Sequence, residues 1–548
     1  MAPGASQKRF PRWIAGPAEA GGRARSRGNI DVLFNSPEFF LAFLPTVVLL
    51  YYWLGARSLL LATWWLVLSS VAFYAYWEPA NLLILGTSLL FNYGLSHLIG
   101  RQERQGRRKA LLWAGVLGNL ALLGWFKYAN FVAGNLGALA GEDWSLGHIV
   151  LPLGISFFTF TQLGYLVDIY RREARPSRFV DFALFVTYFP HLIAGPLLHH
   201  AEMIPQFRDL PARAPDWRLV AMGTTIFAIG LFKKAIVADN VALHASLPFD
   251  SAAHGMGLPM IESVTGVLAY TFQLYFDFSG YCDMAIGVSL MLGIALPINF
   301  DSPYKSANIS EFWRRWHMTL GRFLTHYLYI PLGGNRVPLP RWYLNLMIVM
   351  VLSGIWHGAG WTFIVWGTLH GVFLVVFQAW DRLRPRLGLA PERTAAGRAF
   401  GVGLTFLSVA VAWIFFKAHT LPEALAVLEG FAGLNGLVLP ASWAASLGPL
   451  APALVSAGVE FGHLHPSYSL DGLALVLVLL PAVFLLPNSQ QLVGYAGTVL
   501  QRPPAPLGPI SARLRWTPGY RWALASAGMV LLSAFLAQRN SEFLYFQF

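Results

Sequence analysis

Hydrophobic positions along this chain come in long blocks, separated by short polar stretches, rather than in strand-like alternation. Apolar segments occupy about 38–54, 58–77, 79–98, 110–139, 148–169, 180–198, 218–238, 264–296, 343–380, 399–416, 471–487 and 519–537. Most are close to the roughly 20 residues that a helix needs to cross about 30 Å of hydrocarbon. The pattern predicts an all-α fold: a polytopic membrane bundle of roughly 11–13 transmembrane or re-entrant helices around a central cavity. Three segments exceed one straight span. The longest, Tyr343 to Trp380, holds no Asp, Glu, Lys or Arg over 38 residues. It must bend, and its weak point is "SGIWHGAGW", where Gly354, Gly358 and Gly360 lower helix propensity and let another helix approach.

Composition supports the membrane reading. Of 548 residues, 56% are hydrophobic and 12% charged, and mean hydropathy is +0.52; soluble domains carry about 25% charged residues. Residues 1–31 are basic and rich in Gly, Ala and Pro, with no core long enough for a signal peptide, and read as a disordered tail ahead of one membrane domain over 32–548. The net charge of +12 sits in short loops between apolar segments, which suits cytoplasmic loops and anionic lipid rather than nucleic acid. The loops 101–109 and 171–178, with the arginines of 382–398 and 502–521, favour the cytoplasm, while acidic "GEDW" (141–144) fits outside. Counting back three spans from residue 101 starts the first helix outside, against the basic tail. Either the tail is translocated or the natural protein starts near Val32. One cysteine, Cys282, allows neither a disulfide framework nor a cysteine-based metal centre.

A charge at bilayer depth costs about 2.5–3.5 kcal/mol or more, so buried ionisable groups are site candidates. In "EFWRRWHMTLGRF" (311–323), helical spacing puts Trp313, Trp316, His317 and Leu320 on one stripe, with Glu311 near Arg314 or Arg315. An interfacial helix, with tryptophans at headgroup depth and arginines on phosphates, explains the helix as a whole. His317 stands apart because it shares the aromatic face. His357 sits at the glycine-lined break, where freed backbone groups must be buried in protein or face water. A lone histidine in an apolar run is commonly structural; at such a break, acid–base chemistry stands beside that reading. His370, mid-helix, reads as structural. Asp277 and Asp283 are six residues apart, roughly 240° around a helix, which disfavours a shared acid–base site and suggests counter-ions for Arg314 or Arg315. His199 and His200 diverge on a helix and His463 and His465 read as a loop, so no metal site is expected. Nucleophile elbow, phosphate loop, dinucleotide fingerprint and zincin motif are all missing from the sequence. Histidine acid–base chemistry in a membrane cavity remains.

Several ordered motifs resemble the membrane-bound O-acyltransferase family, specifically its bacterial alginate O-acetylating branch. They are "VLFNSPEFFLAFLP" (32–45), "LPLGISFFTFTQLGYLVDIYR" (151–171), "YFPHLIAGPLL" (188–198), "FQLYFDFSGYCDMAIG" (272–287), "NFDSPYKSANISEFWRRWHMTLGRF" (299–323), "YIPLGGNR" (329–336), "SGIWHGAGWTFIVWGTLHG" (353–371) and the terminal "FLYFQF". The resemblance covers nearly all of the chain after residue 31 and implies that His317 and His357 are the signature histidines. It further implies acyl transfer from acetyl-CoA, a substrate rather than a tightly bound cofactor, across a bacterial inner membrane. His357 is the expected general base and His317 an oxyanion donor or orienting group, with the reverse order also compatible. Donor binding falls to Arg314, Arg315, Trp313 and Trp316, with Asp277 and Asp283 beside them. The acceptor would be a hydroxyl of an exported polysaccharide, reached through an exported SGNH-hydrolase-like or alginate acetyltransferase-like partner; D-alanyl transfer to a cell-wall polymer is the alternative. A proton-coupled transporter using Asp277, Asp283 and His357 is the rival of another class, and a catalytically idle scaffold for an exported partner is a third. One departure stands out: Thr325 and His326 occupy the place where similar sequences carry an Arg-Asp pair.

Overall fold

The computed structural model describes residues 34–388, 394–498, 507–508, 511–536 and 543–544. The tail expected over 1–31 lies outside the described residues. Each apolar segment read from the sequence contains helix, and seven helical stretches among the described residues are long and apolar enough to cross a membrane: Leu59–Tyr76, Asn81–Arg101, Gln105–Ala140, Trp217–Ala253, Leu339–His357, Trp361–Leu387 and Ala395–Lys417. Phe39–Gly55, Leu470–Leu485 and Tyr520–Leu536 are shorter apolar helices. The chain is a multi-pass helical membrane protein. A small departure from all-helix is a parallel strand pair, Leu437–Pro440 with Val459–Gly462.

The bundle is built around Met260–Met291, a central helix of 32 residues, most of them buried. At 1.5 Å per residue it runs roughly 48 Å, longer than a bilayer core is thick. Its main neighbour is Trp217–Phe232, and glycines set the distance between them. A β-carbon on Gly230 would lie 2.6 Å from the Gly280 carbonyl oxygen, and one on Gly223 would lie 2.5 Å from that of Gly287. Two glycine pairs, each seven residues apart in sequence, thus bring backbone against backbone.

That close approach carries charge into the bundle. Lys233 and Lys234 follow the Trp217–Phe232 helix directly, and Lys234 Nζ lies 2.7 Å from both Asp277 Oδ1 and Asp239 Oδ1. Lys233 Nζ lies 2.7 Å from Asp283 Oδ2, which also accepts from Ser489 Oγ at 2.6 Å, while Gln490 Nε2 donates to Asp283 Oδ1 at 2.6 Å. Asp277 and Asp283 are therefore counter-ions of lysines, not of Arg314 or Arg315 as the sequence suggested. Helical spacing had correctly kept them on different faces; it could not reveal which neighbouring helix supplies their cations.

The stretch 311–323 departs furthest from expectation. It is not one helix: Ile309–Trp313 ends in a turn, and Met318–Leu324 begins anew after it. Asn308 starts the first piece, its side chain accepting from Glu311 N at 2.8 Å. Between the pieces, His317 takes φ +44°, the left-handed region that a residue with a β-carbon enters at a cost of about 1–3 kcal/mol. The predicted stripe is broken there, and each of its members meets a different part of the bundle.

Candidate active site

His357 is the last residue of the Leu339–His357 helix, and Gly358 to Gly360 form the break before Trp361–Leu383. The two helices pack as tightly as backbone allows. A β-carbon on Gly354 would sit 2.3 Å from the Phe363 carbonyl oxygen, and one on Gly367 would sit 2.4 Å from that of Met350. Ending the helix at the break frees its last carbonyls. Those of Ile355, Trp356 and His357 are satisfied from one neighbouring segment, Gly124–Tyr128. Tyr128 Oη donates to Ile355 O at 2.6 Å, and Lys127 Nζ donates to Trp356 O at 2.7 Å and to His357 O at 2.9 Å.

The imidazole of His357 is oriented by a bond of 2.7 Å from Nδ1 to the Ser353 carbonyl oxygen. A carbonyl only accepts, so the proton of the neutral ring sits on Nδ1 and Nε2 keeps its lone pair. Trp366 and Phe416 pack edge-on against the ring at 4.8 and 5.5 Å. His357, Lys127, Ser156 and Phe157 line a recess of about 30 Å³, room for one small group. Lys127 and Leu151 also line a larger cavity, of about 380 Å³, that reaches Gly358, Thr362, Lys417 and His419. This cavity lies on the face of the bundle that carries the 141–149 loop.

His317 is 1% exposed and held from the 299–302 turn. Its Nδ1 lies 3.1 Å from Asn299 Oδ1, which also accepts from Thr319 N at 3.2 Å and Thr319 Oγ1 at 2.9 Å. The Thr319 amide fixes that atom of Asn299 as an acceptor, so the imidazole proton of neutral His317 is again on Nδ1. Met318 N bonds Asn299 O at 3.0 Å, and the two together hold His317 in its left-handed conformation. Trp356 stands between the histidines, 6.3 Å from the His317 ring and 4.8 Å from that of His357.

A second cavity, of about 290 Å³, opens on the face that carries the basic 171–178 loop. Asp168, His199, His200, Arg322, His326 and Tyr327 line it, together with Thr319, a partner of Asn299. Here His199 and His200 converge on one oxygen, Asp168 Oδ2, at 3.2 and 2.8 Å. The divergence expected of adjacent helical residues does not apply, because His199 is an extended cap residue preceding His200–Arg208. Tyr327 Oη donates to the same oxygen at 2.6 Å. Burial first, and then the Asp168 carboxylate, push the Tyr327 phenol up and keep it protonated. Arg322 is held by a bidentate pair with the buried Glu202, at 2.7 and 2.6 Å. Phe157, Leu197, Leu320, Leu324 and Trp356 form a buried apolar wall, of which Leu197 also lines this cavity and Phe157 and Trp356 line the recess at His357.

The other sequence candidates lie away from both cavities. Arg315 bonds Glu311 Oε1 at 2.8 Å and lies 3.8 Å from Asp301, and Arg314 is exposed. Trp313 packs on Trp366 and His370, while Trp316 is buried against Phe300 and Trp413. The sequence reading missed Lys127, Tyr128 and Asn299. Lys127 carried a signal, being a lone charge inside the apolar run 110–139; Asn299 carried none.

The helical membrane fold and the comparisons with known proteins together define a polytopic membrane enzyme of the acyl-transfer class. The chain belongs to the membrane-bound O-acyltransferase family, whose profile matches residues 167–410. The match includes both histidines and leaves Lys127 outside. Among curated relatives, a peptidoglycan O-acetyltransferase of Helicobacter pylori is 45% identical over 435 residues, covering 74% of this chain and 81% of that protein. A probable alginate O-acetylase of Azotobacter vinelandii is 41% identical, covering 72% and 76% respectively. A teichoic acid D-alanyltransferase of Streptococcus thermophilus is 29% identical over 48% of this chain and 68% of its own. The chain is an acyltransferase.

Proposed function

We propose that this enzyme transfers an acetyl group from acetyl-CoA, bound on the side of the basic loops, to a hydroxyl presented on the opposite side of a bacterial inner membrane. The observation that carries the reading is the lone pair of His357 Nε2, set by the Ser353 carbonyl, on a histidine lining a recess that shares Lys127 and Leu151 with the cavity on the 141–149 face. The names of the acetylating relatives support acetyl as the group and an extracytoplasmic polysaccharide as its destination. An exported partner of the SGNH-hydrolase-like or alginate acetyltransferase-like kind would complete the transfer.

In this mechanism His357 Nε2 takes the proton of the acceptor hydroxyl as its oxygen attacks the thioester carbonyl. The tetrahedral oxyanion gains from donors held in a low-dielectric site. Collapse breaks the carbon–sulfur bond, forms the ester, and returns the proton from His357 to the departing thiolate. His317, fixed by Asn299, orients the donor from the other side of Trp356. The basic loops face the cytoplasm in this arrangement, as their arginine content favours.

The test is transfer of labelled acetyl from acetyl-CoA into membranes and polysaccharide, in cells or vesicles that contain the exported partner. Wild type transfers label, and folded His357→Ala and His317→Ala do not. Equal labelling by the variants overturns the histidine mechanism, and absence of label in wild type overturns acetyl-CoA as donor.

A further inference from the structure

The departure at His326 has a structural counterpart at the rim of the basic-face cavity. His326 Nε2 lies 3.9 Å from Asp168 Oδ1 and 3.5 Å from Glu173 Oε2. All three ligand atoms lie within 4.8 Å of one another. Such separations are long for hydrogen bonds; the 3.5 Å one matches the roughly 3–3.5 Å between ligands that each stand about 2.1 Å from one cation, and the longer ones require the side chains to draw in on binding.

Two further observations bear on what these atoms could hold. Asp168 is 1% exposed, and its two oxygens differ: Oδ2 is met by His199, His200 and Tyr327, whereas Oδ1 accepts no hydrogen bond. A buried carboxylate oxygen without a hydrogen bond is costly unless something else compensates it. His326 Nε2 faces Arg171 Nη1 at 3.2 Å. A guanidinium only donates, so this nitrogen carries the lone pair that a metal ligand requires.

We infer that Asp168 Oδ1, Glu173 Oε2 and His326 Nε2 form a binding site for a divalent first-row transition cation of the Zn²⁺ or Mn²⁺ type. One imidazole and two carboxylates suit that class. Binding displaces Arg171 from His326, and the positions left open face the cavity, where water or an anionic oxygen completes the shell. His199 and His200 belong to the support rather than to the ligand set. Ala201 N donates to His199 Nδ1 at 3.3 Å, which puts the proton of that neutral ring on Nε2, toward Asp168. Holding Oδ2, these groups turn Oδ1 toward the cation. The bound ion ties the 172–178 loop to the helical turn Thr325–Tyr329 across the cavity rim.

The experiment uses the full-length protein in detergent, stripped with a chelator and dialysed. Zn²⁺ and Mn²⁺ are titrated by calorimetry, and the absorption spectrum with Co²⁺ reports the ligands. Glu173 and His326 are 50% and 41% exposed, so Glu173→Gln and His326→Ala should fold, and an unchanged thermal midpoint without metal verifies this. Wild type is expected to bind one equivalent, with affinity falling about 10-fold or more in each variant, while His199→Gln keeps saturable binding. Two outcomes overturn the proposal. One is no saturable binding by folded wild type below about 100 µM, weaker than about 5.5 kcal/mol of binding free energy. The other is full affinity in His326→Ala with loss in His199→Gln, which would move the site to the histidine pair.

Discussion

Lys127 donates to the carbonyl oxygen of His357 from a helix more than two hundred residues earlier in the chain, at 2.9 Å. The same ammonium satisfies Trp356 O, so one side chain fixes the last turn on which the histidine stands. Hydrogen bonds of this kind contribute about 0.5–1.5 kcal/mol each, and leaving a buried carbonyl unpaired costs about 1–3 kcal/mol. Lys127→Met should lower acyl transfer by about 100-fold while the protein stays in the membrane, and Lys127→Arg should restore part of it. Equal rates in Lys127→Met and wild type would show that the ammonium does not set the position of His357.

For His357 itself, loss of a general base predicts a fall of about 10²–10⁴ in turnover for His357→Ala, with donor affinity changed little. The split is measured by single-turnover transfer alongside donor binding. A fall in binding with unchanged turnover would assign His357 to donor recognition instead.

Asn299 gives an independent test of the left-handed turn. Asn299→Leu removes the acceptor shared by His317 and Thr319 and leaves both donors buried. Transfer should drop about 10–100-fold with the fold retained, as for other residues that act by orienting a functional group. Full activity in Asn299→Leu would separate the conformation of His317 from catalysis.

The glycines of the break make a sharp steric contrast. A β-carbon on Gly354 meets the Phe363 carbonyl at 2.3 Å, whereas one on Gly360 meets its nearest atom, in the Phe363 ring, at 3.5 Å. Gly354→Ala should cost about 1–3 kcal/mol through overpacking, seen as a lower thermal midpoint in detergent, and Gly360→Ala should be close to neutral. Similar midpoints for the two variants would mean that the helices slide apart without penalty.

Lys234→Met strands Asp277 and Asp239 in the bundle. Breaking a buried ion pair from one side costs about 3–5 kcal/mol, so the variant should express poorly or unfold early. Normal thermal stability would argue that these carboxylates take up protons readily when their cation is removed.

Much of this architecture was legible in the sequence, because the length of an apolar run is a local property that the bilayer enforces. The break at Gly358 to Gly360 was legible for the same reason: 38 uncharged residues cannot span straight, and glycine marks where they bend. The turn at His317 was not. Its residues have helical periodicity, and the left-handed conformation is imposed by Asn299, eighteen residues earlier. The partners of Asp277 and Asp283 depended on which helix packs against theirs, although two consecutive lysines at the end of an apolar run were a visible hint. Helical spacing could not show that the 314–317 turn carries Arg314 outward and leaves Arg315 with Glu311.

The wall of Phe157, Leu197, Leu320, Leu324 and Trp356 bears on bioenergetics as well as on catalysis. Ions and hydronium cross a partition of hydrocarbon and indole only at high cost, because it offers nothing to replace their hydration. A two-carbon acyl group carries no charge and needs no such replacement. If the acyl group crosses the membrane here as proposed, the partition would act as electrical insulation, letting chemistry pass from one side to the other while the membrane stays energised.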